Sequence, residues 1–484
     1  MISRMPAVLA VFVAAIAVGG APLSALEAQP AEPDTVSRST PPPEGPPPAL
    51  RLPAIQFRTL PNGLRIALLE RHDVPVVSAF VRFDVTPDDP IGKEGLRAAM
   101  HRLLNAGTAR LSADELADST AAIGGRASPT SFTTLVPLVD RAFALMAEQM
   151  LHASFPEREL ALWKKEQLGN LRHAEEQPEY WASRIFAARL YGVHHRYSRR
   201  ASATSVMAIT RQDLIALHHI VVRPRNTTVI IAGDLTMDDA AKRVARVFDQ
   251  WTTIGAPART IPPLPEPVGT TAIYLYDRPG SAQSVVVVGR LGPRRDAPDY
   301  LPMDLTNIVL GGAFHSRLNL DLREEHGYTY GVQSGLETRE PPEVGAIEVE
   351  AGIATNKTDS AVVRLMQDLS ELTTSRTVTD SEMAFAKSNT LKSLPLRFET
   401  TAAQVGGVAE VLSYHLPTDY FNSLTAKVGS ITLAQVRSAA ATYIDARHMV
   451  IVVVGDRASI EPGLRAAGVG PIIRVDSHGQ VLGR

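Results

Sequence analysis

An internal repeat constrains the fold more than any other feature of this 484-residue sequence. Residues 209–234 read ITRQDLIALHHIVVRPRNTTVIIAGD, and residues 431–456 read ITLAQVRSAAATYIDARHMVIVVVGD. The two segments align without a gap and begin 222 residues apart (431 minus 209). Because solenoid repeats have periods of about 20 to 50 residues, a repeat of this period indicates a duplicated domain.

Each copy of the repeat predicts the same elements in the same order. Thr210 and Thr432 stand where a threonine side chain caps the first turn of a helix. An amphipathic helix, a turn and a β-branched strand that ends in Gly-Asp follow in both copies. The chain is also too long for one ordinary hydrophobic core, so two domains of roughly 200 residues each are expected.

A proline-rich segment between the copies marks the domain boundary. Residues 255–269 read GAPARTIPPLPEPVG, and their prolines block both a helix and a central strand, so we assign an interdomain linker here. The linker separates a predicted N-terminal domain, residues 54–254, from a C-terminal domain, residues 270–484. Strand patterns such as FVRFDV at 80–85 are interspersed with helix patterns such as SADELADSTAAIGG at 112–125. This mixture predicts the α+β fold class.

The N-terminus has the pattern of a secretory signal peptide over residues 1–28. Arg4 lies near the start, an apolar run covers residues 7–18, and small residues precede a cleavage point after Ala28. The run is short for a membrane span, although an uncleaved anchor is the alternative. Residues 29–53 are rich in Pro, Glu, Ser and Thr, which predicts a disordered tether. We therefore expect an exported protein, periplasmic or extracellular, with no membrane span after signal removal.

Charge and cysteine content exclude several classes of function. The chain has 49 basic and 51 acidic residues, so a formal net charge of -2 gives no reason to expect a nucleic acid partner. It has no cysteine, which excludes disulfides, thiolate zinc sites and cysteine nucleophiles.

The stretch GLRAAMHRLLNAGT, residues 95–108, predicts a short helix with two distinct faces. At helical spacing, an apolar face is formed by Leu96, Met100 and Leu103, and the opposite face by Ala98, His101, Arg102 and Asn105. A metal-binding helix of this kind needs donor side chains at 98, 101 and 102. Alanine has no donor atom and the arginine cation repels a metal ion, so this helix is not expected to bind zinc.

Five segments distributed along the chain carry a resemblance to a known family. They are LPNGLRIALLERHDVPVVSAFVRF (60–83), GLRAAMHRLLNAGT (95–108), TVIIAGD (228–234), YDRPGSAQS (276–284) and GGAFHSRLNLDLREEHGYTYGV (311–332). Together they resemble the insulinase/pitrilysin metallopeptidases, and specifically the two-domain branch that includes the mitochondrial processing peptidase and its bacterial relatives. The resemblance implies two homologous domains, each a mainly antiparallel sheet covered by helices.

The family's inverted zinc motif, His-x-x-Glu-His, is degenerate in this sequence. The resemblance aligns it with Ala98, His101 and Arg102, so all three key positions are changed. The family's third ligand, a glutamate, aligns near Asn170, with Glu166 and Glu175 close by as alternative registers. We expect no metal or other cofactor on this chain.

A second constellation of the family is retained. Family members of this branch carry an Arg and a Tyr, seven residues apart, that hold the substrate against the zinc of a facing domain. In LREEHGYTY, Arg323 and Tyr330 have this spacing, with Gly327 between them. Guanidinium and phenol groups can donate hydrogen bonds to a peptide carbonyl and to an oxyanion. The residues alone leave an alternative, in which Arg323 pairs with a neighbouring glutamate and Tyr330 packs at a strand edge.

Two functional hypotheses follow. In the first, the chain is the substrate-binding subunit of an exported heterodimeric peptidase, inactive alone, and a homologous partner carries His-x-x-Glu-His and the zinc ion. In the second, it is a non-catalytic peptide-binding or scaffold protein that reuses the fold. An independent peptidase with a relocated metal site is disfavoured, because none of the 13 histidines has the spacing of either common zinc motif.

Overall fold

The computed structural model describes residues 50–252 and 265–483, together with Gly45, Gly255 and Pro263. The predicted signal peptide, most of the predicted tether and about half of the predicted linker lie outside the described residues.

The first half of the chain forms a six-stranded sheet in the order β1-β2-β6-β3-β5-β4. Its strands are β1 (Ile55–Thr59), β2 (Arg65–Glu70), β3 (Val76–Phe83), β4 (Arg126–Ser128), β5 (Ser131–Leu135) and β6 (Thr227–Gly233). All its pairings are antiparallel except that of β2 with β6.

The second half forms another six-stranded sheet in the order β12-β7-β11-β8-β10-β9. Its strands are β7 (Ala272–Asp277), β8 (Gln283–Leu291), β9 (Thr329–Leu336), β10 (Ala346–Ala354), β11 (Val450–Gly455) and β12 (Ile472–Arg474). Five strands, β7-β11-β8-β10-β9, repeat the order β2-β6-β3-β5-β4 of the first sheet. The predicted duplication is therefore visible in the strand topology.

Helices cover the sheets. In the first half they are α1 (Leu96–Leu103), α2 (Ala113–Ala121), α3 (Val139–Leu151), α4 (Glu157–Glu176), α5 (Pro178–Tyr191), α6 (Ala203–Ala208), α7 (Arg211–Val221) and α8 (Met237–Phe248). In the second half they are α9 (Tyr300–Asn307), α10 (Thr358–Thr373), α11 (Asp380–Ser393), α12 (Thr401–Ser413), α13 (Tyr420–Ser430), α14 (Leu433–Tyr443) and α15 (Arg457–Ala467). No helix among the described residues has the length and hydropathy needed to span a bilayer.

The repeated segments fold as the sequence predicts. Thr210 and Thr432 form capping boxes at the start of α7 and α14, in which each threonine accepts a hydrogen bond from a backbone N–H of the first turn. Gly233 ends β6 with φ +136°, and a Cβ there would lie 2.1 Å from the Val76 carbonyl oxygen. Only glycine allows this close approach between β6 and β3.

Two equivalent helices are exchanged between the halves. Helix α5 belongs to the first half but packs on the second sheet, where Phe186 lies over Gly289 of β8. Helix α12 belongs to the second half but packs on the first sheet, where Val405 and Val408 contact Ile230 of β6. The starts of α5 and α12 are 223 residues apart (401 minus 178), close to the repeat offset. Each half therefore buries apolar surface of the other, and this burial stabilises their association.

The α+β class and the duplicated, mainly antiparallel architecture are confirmed. The opposite faces of the two sheets are covered within each half, by α3 and α8 on the first sheet and by α10 and α15 on the second. The exact domain boundaries at residues 254 and 270 stay predictions.

Candidate functional site

The degenerate helix α1 is anchored by its apolar face. Its N-terminus follows Gly95, whose φ is +104°, and the Asp89 carboxylate accepts hydrogen bonds from backbone N–H groups of this first turn. The predicted core residues Leu96, Met100 and Leu103 are buried and pack against α4 and α7. The apolar face and the Asp89 carboxylate therefore anchor the helix.

The opposite face of α1 is exposed, as predicted, and offers no set of metal ligands. Ala98, His101 and Arg102 are all exposed. The His101 Nε2 atom lies 3.3 Å from the Thr130 hydroxyl, and Arg102 donates a 3.2 Å hydrogen bond to the Asn105 side chain. Partial removal of water from the imidazole lowers the pKa of His101. A single neutral imidazole does not make a zinc site, because the ion requires three or four protein ligands.

The position aligned with the third zinc ligand lies on a neighbouring helix. Asn170 is exposed on α4, which packs against α1. Its amide stands where the sequence alignment expects the glutamate of the family. Residues 98, 101, 102 and 170 therefore do not fit a zinc ion.

One cluster of potential metal ligands occurs among the described residues, formed by Asp321, Glu325 and His326. Asp321 is buried and already accepts a 2.5 Å hydrogen bond from Arg364. The His326 Nδ1 atom lies 3.1 Å from an Asp321 carboxylate oxygen. Since Arg364 already neutralises the aspartate, we interpret this cluster as structural.

Arg323 and Tyr330 lie close together on either side of a tight turn. Arg323 belongs to a π-helical turn, Asn319–Glu325, and Tyr330 is the second residue of β9. Gly327, with φ +60°, reverses the chain between them. The guanidinium carbon of Arg323 lies 5.2 Å from the centroid of the Tyr330 ring, and the Tyr330 side chain is 89% exposed.

A third side chain, which the sequence analysis missed, completes this arrangement. Phe314 is 63% exposed, and the Arg323 guanidinium lies 4.7 Å from the centroid of its ring. The cation therefore contacts two exposed aromatic rings. Arg323 also forms a 3.2 Å ion pair with Glu324, as the alternative interpretation of the sequence expected. The signal in the sequence was an aromatic residue directly after the Gly311–Gly312 pair and Ala313.

The two glycines and one asparagine fix the geometry of the site. A Cβ at Gly311 would lie 2.7 Å from the Ser334 hydroxyl, so this segment approaches β9 closely only because it lacks side chains. The Asn319 amide group donates to the Val332 carbonyl at 2.8 Å and accepts from the Val332 N–H at 3.0 Å. This clamp ties the turn that carries Arg323 to the strand that carries Tyr330.

A carboxyl pair lies beneath the same turn. Burial and a hydrogen bond with Asp321 raise the pKa of Asp368, on α10, to about 7. Although burial opposes its ionisation, hydrogen bonds with Asp368 and Arg364 lower the pKa of Asp321. A protonated Asp368 therefore donates to an ionised Asp321 below neutral pH and helps to hold the turn against α10.

Arg323 and Tyr330 open into a groove of about 990 Å³. Its floor includes Glu348 and Glu350 on β10, and neither carboxylate has a hydrogen bond or an ion pair within the described part of the chain. Burial, with the nearby Glu337, raises the pKa of Glu348 to about 7, and burial also raises the pKa of Glu350. The groove thus has hydrogen-bond donors, Arg323 and Tyr330, at one side and two unpaired carboxyl groups on its floor.

Comparison with known proteins relates the chain to one group of peptidases. The family described as "Peptidase M16 inactive domain" matches residues 208–390, a range that contains Arg323 and Tyr330. A Mycobacterium tuberculosis protein described as an uncharacterized zinc protease is 25% identical over 425 residues, which cover 84% of this chain and 95% of the relative. A Bacillus subtilis protein with the same description is 23% identical over 367 residues, 72% of this chain and 86% of the relative.

Solved structures share the fold. A peptidase M16 inactive domain from Pseudomonas fluorescens superposes with a TM-score of 0.75 at 25% identity, covering 83% of this chain and 97% of that chain. A protease from Helicobacter pylori has a TM-score of 0.73 at 18% identity, covering 84% of this chain and all of that chain. The periplasmic protease PqqL from Escherichia coli has a TM-score of 0.69 at 15% identity and covers 83% of this chain but 45% of PqqL. Residues 208–390 therefore match the M16 inactive-domain family, and the chain as a whole has the fold of M16-like peptidases.

Proposed function

We propose that this chain is the substrate-binding subunit of a two-chain zinc peptidase. A homologous partner that carries His-x-x-Glu-His would supply the zinc ion, and this chain would supply Arg323 and Tyr330. The observation that carries the proposal is the contrast between the two constellations: α1 has lost its ligands, whereas Arg323 and Tyr330 are held together in an open groove.

The chemistry of the pair suits peptide hydrolysis. The guanidinium and phenol groups can donate to the carbonyl of a bound peptide and to the oxyanion that forms during attack by water. Contact with the Phe314 and Tyr330 rings limits the rotamers of Arg323, so less conformational entropy is lost when substrate binds. Loss of one such donor typically lowers a rate by about 10² to 10³.

The side chains around Arg323 and Tyr330 form a surface suited to contact with a partner chain or a substrate. Tyr330 and Phe314 are exposed, and Leu320 in the Arg323 turn is 48% exposed. A cluster of exposed large apolar side chains marks a binding surface more often than a solvated one. Asn319 occupies the outer edge of β9 at Val332, so a peptide here would be held by side chains rather than by strand addition.

Export is part of the proposal. The N-terminal residues have the pattern of a cleaved signal, and one structural neighbour is described as a periplasmic protease. We infer that the complex acts in the periplasm or outside the cell on peptides or unfolded segments.

A second candidate function is a non-catalytic peptide-binding or scaffold protein. The ion pair between Arg323 and Glu324 favours it, because the guanidinium is already partly neutralised within the chain.

Affinity purification of the chain from its native host, followed by mass spectrometry, separates the two functions. The proposal predicts a co-eluting homologue of similar length, in equal amount, with an intact His-x-x-Glu-His motif. Elution of the chain alone or as a homodimer contradicts the proposal and supports the scaffold.

A further inference from the structure

A second large cavity lies apart from the Arg323 groove. It has a volume of about 720 Å³, within the range of small-molecule and peptide pockets, and it shares no lining residue with the groove. Its walls come from α9, α11, α12 and α13, with Phe80 of β3 contributed by the first half of the chain. Neither the family match nor the proposed function gives this cavity a role.

The unusual feature of the cavity is the carboxylate of Asp304. Helix α9 and the π-helical segment that follows it place Tyr300, Asp304 and Ile308 along the cavity at positions i, i+4 and i+8, with Leu301 beside them. The acidic side chain therefore interrupts an otherwise aromatic and apolar stripe. Within the described residues it has no hydrogen bond and no cation within ion-pair distance. Burial raises its pKa although Arg295 and Arg397 act in the opposite direction. The side chain is partly exposed to the cavity, so a carboxylate without a partner in this largely apolar wall can act as the counter-ion of a bound cation.

The two nearby arginines are bound to other groups. Arg295 is buried, lies 4.3 Å from the centroid of the Tyr300 ring, and donates to Glu410 at 2.7 Å. Arg397 donates to the other oxygen of Glu410 at 2.8 Å. Both cations thus share one glutamate, and neither pairs with Asp304. The charge of Asp304 is therefore available to a ligand in the cavity.

The remaining lining defines what that partner carries. Four apolar side chains from different parts of the fold contribute to the walls: Phe80, Leu336, Leu394 and Leu424. Arg295 and Arg397 also line the cavity but are paired with Glu410, so the unpaired charge that a ligand meets is that of Asp304. A hydrated metal ion would leave the apolar walls uncovered. An organic ammonium with an apolar body satisfies both the charge and the walls.

We propose that this cavity binds a primary ammonium group carried on an apolar body, with Asp304 as its counter-ion. The amino terminus of an apolar peptide and a lysine side chain next to apolar residues share this chemistry. The site would then recognise a charged end or side chain of a peptide, separately from the Arg323 groove.

Isothermal titration calorimetry on the full chain tests this proposal with three probes: leucyl-leucinamide, its N-acetyl derivative, and N-acetyl-leucyl-lysinamide. The proposal predicts binding of at least one free-amine probe and at least tenfold weaker binding of the N-acetyl dipeptide amide. Binding of leucyl-leucinamide identifies a peptide amino terminus as the ligand group, and binding of the lysine probe identifies the side chain. Equal binding of the free and acetylated dipeptide amides, or no binding by either free amine, overturns the proposal.

Two variants locate the site. Asp304→Asn keeps the shape of the side chain and should weaken binding at least tenfold, whereas Glu350→Gln, which removes an unpaired carboxylate from the other groove, should leave it unchanged. Equal losses in both variants overturn the assignment to Asp304. If Asp304→Asn fails to fold, the comparison of free and acetylated probes still tests the proposal on the unaltered chain.

Discussion

The guanidinium group of Arg323 contacts two aromatic rings, and the ring of Tyr330 is one of them, with its centroid 5.2 Å away. The two residues come from different elements, a π-helical turn and an edge strand, and the Asn319 clamp holds these elements together. Their proximity is therefore a property of the fold rather than of the seven-residue spacing alone.

Phe314 should position Arg323 for substrate. Because a cation–π contact at an exposed site contributes about 0.5 to 1 kcal/mol, Phe314→Ala should lower kcat/KM of the assembled peptidase by about 2- to 5-fold. In the Arg323→Ala background the same substitution should have almost no effect. Equal losses in both backgrounds would show that the ring contacts the substrate or the partner directly.

The Asp368 pair should make stability depend on pH in a definite direction. The pKa of Asp368 is raised to about 7 in the folded chain, so the folded state holds this proton more tightly than the unfolded state does. The contribution of this proton to the free energy of unfolding is therefore complete at acidic pH. It is lost as the pH rises from about 4 to 7. Asp368→Asn keeps a donor for Asp321 and should raise the free energy of unfolding at pH 8, by about 1 kcal/mol or more. Urea titrations at pH 5 and pH 8 measure this, and a variant less stable than wild type at pH 8 contradicts it.

Glu348 should behave in the same way within the groove. Its pKa is raised to about 7, so Glu348→Gln should stabilise the chain at pH 8, on the order of 1 to 3 kcal/mol, and have little effect at pH 4. Differential scanning calorimetry at the two pH values gives the comparison.

Glu382 provides a control of opposite sign for Glu348. Two hydrogen bonds from Arg317, each 2.7 Å long, outweigh burial and lower the pKa of Glu382 to about 2. The ionised Glu382 carboxylate therefore stabilises the folded chain above pH 4, and this stabilisation is lost as the pH falls towards 2. Glu382→Gln should destabilise the chain at pH 8. If both variants shift the melting temperature in the same direction at pH 8, the assigned charge states are wrong.

The exchange of α5 between the halves depends on Gly289. A Cβ at this position would lie 2.3 Å from the Ile347 carbonyl oxygen and 2.7 Å from the Phe186 ring. Gly289→Ala should therefore destabilise the chain by about 1 to 3 kcal/mol. Gly429→Ala, in α13, has nothing within 4 Å of the added Cβ and should be neutral or stabilising. Denaturant unfolding measures the free energy of unfolding of the two variants. A Gly289→Ala protein as stable as wild type would contradict the close packing described at this position.

The repeat predicted local structure well because its signals are local. A threonine cap, an amphipathic period and a terminal glycine act through neighbouring residues, and both copies fold accordingly. The exchange of α5 and α12 was not predicted, because an apolar face indicates that a helix is buried but not which sheet buries it.

The same limit applies to the candidate site. The loss of zinc ligands on α1 is a matter of residue identity, so sequence was enough to expect it. The contacts of Phe314 with Arg323, and of Asn319 with Val332, join residues 9 and 13 positions apart through a turn that sequence patterns do not specify. For the Asp304 cavity, the sequence contains one indication, which is an acidic residue within the apolar stripe of α9.

In the proposed function, Arg323 and Tyr330 serve the zinc site of a partner chain. Its most direct test is the peptidase rate of the complex purified from the native host, with wild-type chain, Arg323→Ala, Tyr330→Phe or the exposed control Arg447→Ala. The account predicts that kcat/KM falls about 10²- to 10³-fold for Arg323→Ala and substantially for Tyr330→Phe, with the complex intact and the control unchanged. Full activity of the Arg323→Ala complex would contradict the account and identify the chain as a scaffold.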